Sequence, residues 1–191
     1  MKNLCILLTI FLIAVSCKAQ QTYPLSTPYF EVPTNSYMKD TNNELDKFIG
    51  TWATTYENKT ITFNLVKNVK KYFNDSIDKY YRDTIEMTFT VKNANGMILQ
   101  STIQKINTDG TKYHVINSKT VQNNGKTLSL YYNGTNCGVG WGSIMLTQLS
   151  PTQLSWSYSP NGSIFIGDEC PSNLDTNIYL PVTDTLVFTK Q

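Results

Sequence analysis

Ile85-Glu86-Met87-Thr88-Phe89-Thr90-Val91 carries an apolar side chain at every second position, and Thr60-Ile61-Thr62-Phe63-Asn64-Leu65 has the same pattern earlier in the chain. A period of two sends successive side chains to opposite faces of a pleated strand. Each segment therefore reads as a half-buried antiparallel strand, apolar inward and polar outward. The alternation recurs over Met97–Ile103, Tyr113–Val121, Leu128–Tyr132, Ile144–Leu149, Leu154–Tyr158, Ile178–Leu180 and Leu186–Phe188. Turn formers separate these runs: Asn58-Lys59, Asn95-Gly96, Asp109-Gly110, Asn123-Asn124-Gly125, Ser150-Pro151 and Pro160-Asn161-Gly162. Eight to ten short strands joined by local turns predict an all-β, antiparallel up-and-down meander. A meander of that length removes its exposed edges by closing into a barrel. A two-sheet sandwich is the alternative.

Upstream of the strands, Thr41 followed by Glu44 makes a capping-box pattern and predicts one short N-terminal helix over Asn42–Phe48, with Leu45 and Phe48 on its buried face. Pro24, Pro28 and Pro33 block helix across residues 20–40 and predict an extended tether on which Tyr23, Tyr29 and Phe30 pack loosely. At the start, Lys2 precedes the apolar run Leu4–Val15, which is shorter than the roughly 20 residues needed to span a bilayer. Such a run reads as an export signal. The expected organisation is a signal peptide at 1–16, a lipidated N-terminus with its tether at 17–40, and a single β-barrel domain at 41–191.

Ser16-Cys17 after small and apolar residues resembles the bacterial lipobox. That resemblance implies cleavage before Cys17, acyl chains on its new N-terminus, and anchorage in a membrane. No acidic residue follows closely, since Lys18-Ala19-Gln20-Gln21 comes next, and this fits an outer-membrane lipoprotein facing the periplasm. The alternative is ordinary cleavage at Ala19 and a secreted, soluble protein.

Gly50-Thr51-Trp52, preceded by Phe48-Ile49, resembles the strand start of the lipocalin and fatty-acid-binding-protein superfamily. The resemblance implies a tryptophan that plugs the closed end of a lipocalin-like barrel, with a basic residue from the last strand across it. Lys190 stands where lipocalins usually carry Arg. A wider likeness covers Ser16-Cys17-Lys18-Ala19-Gln20, Tyr23-Pro24-Leu25-Ser26-Thr27, Asn43-Glu44-Leu45-Asp46, Cys137-Gly138-Val139-Gly140-Trp141-Gly142 and Leu186-Val187-Phe188-Thr189-Lys190-Gln191. Together these segments resemble a family of flavobacterial (Bacteroidetes) lipoproteins of unknown function. The likeness implies an anchored β domain of the cell envelope and carries no activity with it.

The formal charge of +2 is close to balance, and the only dense basic run is Lys67–Lys71, which reads as a solvated strand end. A nucleic-acid partner needs clustered cations and is not expected. Catalytic signatures are equally thin. His114, the one histidine, falls in the strand pattern beside Ile116 and Ser118, and no Gly-x-Ser-x-Gly elbow accompanies it. One histidine and two mature-domain cysteines do not make a zinc set, and Asp75, Asp78, Asp83 and Asp168-Glu169 read as loop carboxylates without calcium-loop spacing. No enzyme, cofactor or metal is therefore expected. Cys137 and Cys170 would pair in an oxidising envelope, the alternative being two buried thiols.

Twelve Tyr, eight Phe and three Trp are the more suggestive class. Tyr72, Phe73, Tyr80, Tyr81, Tyr131, Tyr132, Trp141, Trp156 and Tyr158 either fill the barrel or line a cup for an apolar or sugar-like ligand. The expected role is a non-enzymatic structural or binding lipoprotein. A lipocalin-like carrier of a small apolar ligand is the alternative.

Overall fold

The computed structural model describes residues 19–75, 78–103, 113–162 and 170–191. Its elements are β1 (Thr22–Pro24), β2 (Tyr37–Lys39), β3 (Gly50–Tyr56), β4 (Lys59–Asp75), β5 (Asp78–Lys92), β6 (Ile98–Ser101), β7 (Ile116–Gln122), β8 (Thr127–Tyr132), β9 (Gly142–Ser150), β10 (Gln153–Pro160) and β11 (Leu186–Lys190). Eight of these close into a ring in the order β5-β4-β3-β11-β10-β9-β8-β7, with β7 returning to β5 at Asn117 and Glu86. Every neighbour pair in the ring is antiparallel. The all-β, closed meander read from the sequence is what forms, and β1, β2 and β6 are additions to it.

The period-two pattern explains the core directly. Ile61, Phe63 and Leu65 on β4 and Ile85, Met87, Phe89 and Val91 on β5 are all buried, while their polar neighbours face outward. The turns use left-handed backbone where the strand twist demands it. Glu57 and Asn58 both have positive φ, the pattern of a two-residue type I′ hairpin, one residue earlier than the Asn58-Lys59 turn expected. Asn123, Asn124 and Gly125 likewise take positive φ between β7 and β8. Asp109-Gly110 lies outside the described residues.

β4 and β5 outrun the barrel. At about 3.3 Å per residue the 15 residues of β5 extend roughly 50 Å, more than the ring requires. One edge of β5 pairs with β4 throughout. The other serves β2, β7 and β6 in turn: Tyr81 and Arg82 pair with β2, Glu86 with β7, and Thr90–Lys92 with β6. The distal part of the hairpin projects beyond the ring.

Several expectations are corrected here. Residues 20–40 are neither extended throughout nor a loose tether: Tyr29–Glu31 form a 3-10 turn, β1 pairs in parallel with β2, β2 with β5, and Leu25 and Met38 are buried in the core. Tyr29, though exposed, stacks on the buried Tyr80. In place of a helix over Asn42–Phe48 there is a 3-10 turn at Asp46–Phe48, and among the described residues no α-helix occurs. Asn43 has φ 54°, a left-handed conformation that a right-handed helix cannot pass through. Leu45 and Phe48 are nevertheless buried, as the apolar spacing required. Ile178–Leu180 is irregular chain and not a strand.

No side chain caps the 3-10 turn at Asp46–Phe48; Asp40, and not Thr41, holds the backbone that leads into it. Its carboxylate accepts the backbone N–H of Glu44 at 2.7 Å and of Leu45 at 3.1 Å, and pairs with Lys67 at 2.8 Å. Lys67 also meets Asp46 at 2.6 Å. Burial alone would lower the Lys67 pKa, but the bonds to Asp40 and Asp46 outweigh it and the net shift is upward. Asp83 is no loop carboxylate. It is buried in β5, where it accepts from the Tyr37 hydroxyl at 2.6 Å and from the backbone N–H groups of Asp40 at 2.9 Å and Lys70 at 2.8 Å. Burial first and this carboxylate second push the Tyr37 hydroxyl's pKa upward, so it stays a donor. One side chain thereby ties β2, the Asp40 turn and the β4 bulge to β5.

Asp83→Ala would strand three donors around a buried site. It is expected to destabilise the protein by about 3–5 kcal/mol, read as a fall in urea midpoint at constant slope. Asp83→Asn, which keeps an acceptor oxygen, is expected to cost less.

Candidate functional site

The two ends of the barrel and its interior are built by different means. At one end Trp52 is fully buried on β3, and its indole N–H donates to the Phe48 carbonyl at 2.9 Å. Lys190 pairs with Trp52 in register, and its ammonium stands 5.2 Å from the centre of the Trp52 ring. Gly50 makes room for that crossing. Its φ is 129°, and a Cβ there would lie 2.9 Å from Lys190 Cε. Gly50, Trp52 and Lys190, selected from the sequence, thus meet at one end of the ring. The Asp46–Phe48 turn packs under the same end, where Lys47 and Glu44 approach Gly125.

Through the interior runs a continuous chain of rings. Phe188 and Phe63 lie 4.6 Å apart between centroids, Phe63 and Trp156 5.8 Å, Trp156 and Tyr158 6.0 Å, Tyr158 and Tyr132 6.5 Å, and Tyr132 and Phe89 5.9 Å. All six are buried. These separations are contact distances for aromatic pairs, and an eight-stranded ring is just wide enough for side chains to fill it. Burial also pushes the pKa values of Tyr132 and Tyr158 upward, keeping both phenols neutral.

The opposite end is covered by two segments, Thr135–Trp141 and the chain from Cys170 to Leu180. Val139 and Leu180 are buried, the Tyr158 hydroxyl donates to the Gly140 carbonyl, and the Trp156 indole donates to the Pro181 carbonyl at 2.9 Å. The space between Tyr132, Tyr158 and Leu180 admits no water molecule. A disulfide joins Cys137 to Cys170 with Cα atoms 6.0 Å apart, linking the two covering segments.

Outside the ring the structure forms a cleft that sequence reasoning did not assemble. The projecting β4–β5 hairpin stands beside the outer face of β7 and β8, enclosing about 410 Å³ between Phe73, Asn74, Asn117, Lys119, Tyr131 and Asn133. Phe73 and Tyr131 were singled out as aromatics, but their meeting depends on how far the hairpin extends past the barrel. A second groove of about 490 Å³, lined by Thr62, Thr88, Thr90, Ile98 and Ile103 among others, lies on the outer face of β3–β5 beside β6.

The remaining candidates fall elsewhere. Cys17 and Asp168-Glu169 lie outside the described residues. His114 lies outside the strand, which begins at Ile116. It is 5% exposed, precedes β7 with φ 62°, and its Nε2 lies 2.9 Å from Asn136 Oδ1. The Lys67–Lys71 run is not simply solvated, since Lys67 pairs with Asp40 and Asp46 and Lys71 with Glu86 at 2.8 Å. Among the described residues no cluster of three His, Cys, Asp or Glu is placed to hold a metal ion.

These features define a class: a closed, antiparallel eight-stranded β-barrel with extra strands, a packed interior, and both ends covered by its own chain. The whole chain, residues 1–191, matches the model of a family described as a family of unknown function (DUF6705), and the protein belongs to that family. No curated protein and no solved structure matches the chain.

Trp52→Ala removes a fully buried indole and is expected to cost about 3–5 kcal/mol. Gly50→Ala is expected to cost more than about 1 kcal/mol, because it strains φ and displaces Lys190 together. Thermal midpoints of the two variants check both values. For the disulfide, the bridged cysteines are 33 positions apart, and the chain-entropy model gives about 3.8 kcal/mol of stabilisation. Urea unfolding with and without reductant is expected to differ by up to that amount.

Proposed function

We propose that this protein is a lipoprotein of the bacterial cell envelope with a non-enzymatic structural or binding role, anchored through acyl chains on Cys17. Its barrel serves as a solid, lipocalin-like scaffold, and recognition takes place on the outer surface. The observation that carries this reading is the chain of rings from Phe188 to Phe89, which occupies the volume a carrier would keep open. The two covered ends argue in the same direction, since a ligand would have to displace the Thr135–Trp141 segment or the Trp52–Lys190 crossing to enter. The Gly50, Trp52 and Lys190 arrangement supports the lipocalin-like reading of the barrel end. The pairing of Lys67 and Lys71 with carboxylates agrees with a protein that does not bind nucleic acid. Placement on the periplasmic face of the outer membrane follows from the residues after Cys17 and belongs to the same proposal.

Native mass spectrometry of the protein purified from its own envelope is expected to give the mass of a chain beginning at Cys17 plus two or three acyl chains. A Cys17→Ser variant is expected to leave the membrane fraction. A wild-type mass without lipid would overturn the anchor. An environment-sensitive apolar dye is expected to show no saturable uptake, and stoichiometric binding lost on enlarging Leu146 or Ile144 would overturn the solid interior.

A further inference from the structure

We propose that the cleft between the projecting β4–β5 hairpin and the outer face of β7–β8 binds an acidic saccharide. This deepens the binding half of the proposed role and rests on that reading only for the surroundings in which the site works; the geometry stands without the anchor.

A sugar ring presents two unlike surfaces, C–H faces that are apolar and a rim of hydroxyls that both donate and accept. A site for it therefore pairs aromatic faces with planar carboxamides. The cleft has both. Phe73 approaches from the hairpin and Tyr131 from the barrel wall, while Asn74, Asn117 and Asn133 line the space between them. Its volume of about 410 Å³ falls within the range of small-ligand sites.

The two rings and the Asn117 amide are held in place before any ligand arrives. Phe73 stacks on Tyr80 at 5.5 Å, and Tyr131 meets the edge of Trp141 at 6.3 Å. Trp141 is itself fixed by its indole N–H, which donates to the Gly162 carbonyl at 3.0 Å. Asn117 accepts a hydrogen bond through Oδ1 from the Lys71 ammonium at 3.0 Å, which orients its amide and leaves the N–H groups as donors for a ligand. Locked side chains of this kind reduce the entropy lost on binding.

Charge gives the chemical class. Lys71 is neutralised by Glu86 at 2.8 Å. Lys119 enters none of the ion pairs among the described residues, and its ammonium lies 5.3 Å from the centre of the Tyr131 ring. It is also the extra residue of a bulge in β7, between Ser118 and Thr120 in the pairing with β8. Bulges re-aim a side chain and are frequent beside binding sites. An uncompensated cation beside an aromatic face and three amides suits a sugar bearing a carboxylate.

Saturation-transfer NMR on the full chain as purified from membranes tests this with three probes: digalacturonate, the N-acetylglucosamine–N-acetylmuramic acid disaccharide, and neutral cellobiose. The first represents polysaccharide from outside the cell and the second the cell's own wall. Transfer to the ring protons of one or both acidic probes is expected, with a dissociation constant of roughly millimolar or tighter. Tyr131→Ala and Phe73→Ala are each expected to weaken it about tenfold or more, and Lys119→Gln to bring it to the level of cellobiose. Lys119 is exposed, so its variant keeps the test decisive should Tyr131→Ala fail to fold. No transfer to either acidic probe would overturn the proposal, as would transfer unchanged by Lys119→Gln. A Cys17→Ser protein that still binds the sugar would leave this site standing and bear only on where it works.

Discussion

The barrel depends on a short contact between distant parts of the chain. β3 and β11 meet over two register pairs, Ala53 with Thr189 and Trp52 with Lys190, and that seam turns an open sheet into a ring. At the seam the Lys190 ammonium lies over the Trp52 ring, and the bare backbone of Gly50 leaves room for it. Once the ring is closed, the inward side chains face one another across a volume they can fill, and the length of β5 that β7 leaves unpaired is taken by β2 and β6. Because the contact joins sequence-distant strands, loop-closure entropy must be met before it yields stability, and such folds form late contacts slowly.

Filling that volume with six aromatic rings has a functional consequence. Aromatic side chains bury large areas, so the interior becomes the main source of stability. The same architecture that encloses an open volume in wider barrels is here filled by side chains. Covering segments at both ends, one sealed by Trp52 and Lys190 and the other tied by Cys137 and Cys170, reinforce this division between a closed inside and an available outside. The relief of the molecule lies on its outer surface, where the excess length of β4 and β5 forms a cleft against β7 and β8.

The buried polar network around Asp83 shows how that excess length is held. β2 lies parallel to β5 beyond the region where β7 pairs, and parallel pairing needs a connection from elsewhere in the chain. That connection is the chain through β3 and β4, and Asp83 braces the pairing by gathering Tyr37, Asp40 and Lys70 around one carboxylate, while the Asp40 carboxylate bonds Lys67 and the backbone leading into the 3-10 turn. Arg82, its neighbour, is also buried, and burial lowers its pKa against the opposing influence of Tyr80. A cluster of charges inside an all-β protein is thereby made specific by its hydrogen bonds and not by charge alone.

Alternation of apolar and polar residues along the strands, together with asparagine and glycine at the turns, determined by itself that the chain is all-β and antiparallel, because a period of two admits one inward face and each turn fixes a local reversal; that the sheet closes into a barrel and does not split into a sandwich was decided by the pairing of β11 with β3. The Gly50-Trp52-Lys190 meeting was expected only from the resemblance of Gly50-Thr51-Trp52 to a lipocalin strand start; the positive φ of Gly50 and its close approach to Lys190 are features of the folded chain. What the sequence could not determine were features that depend on distant partners. Thr41 and Glu44 have the spacing of a helix cap, yet it is Asp40, held by Lys67 from β4 and Asp83 from β5, that bonds the backbone of Glu44 and Leu45, and Asn43 adopts a conformation that ends any helix. Residues 20–40 look like a free tether until the unpaired edge of β5 is available to receive β2. The cleft of Phe73, Asn117 and Tyr131 joins residues far apart in sequence, and only the length by which β4 and β5 pass the rim of the ring brings them together.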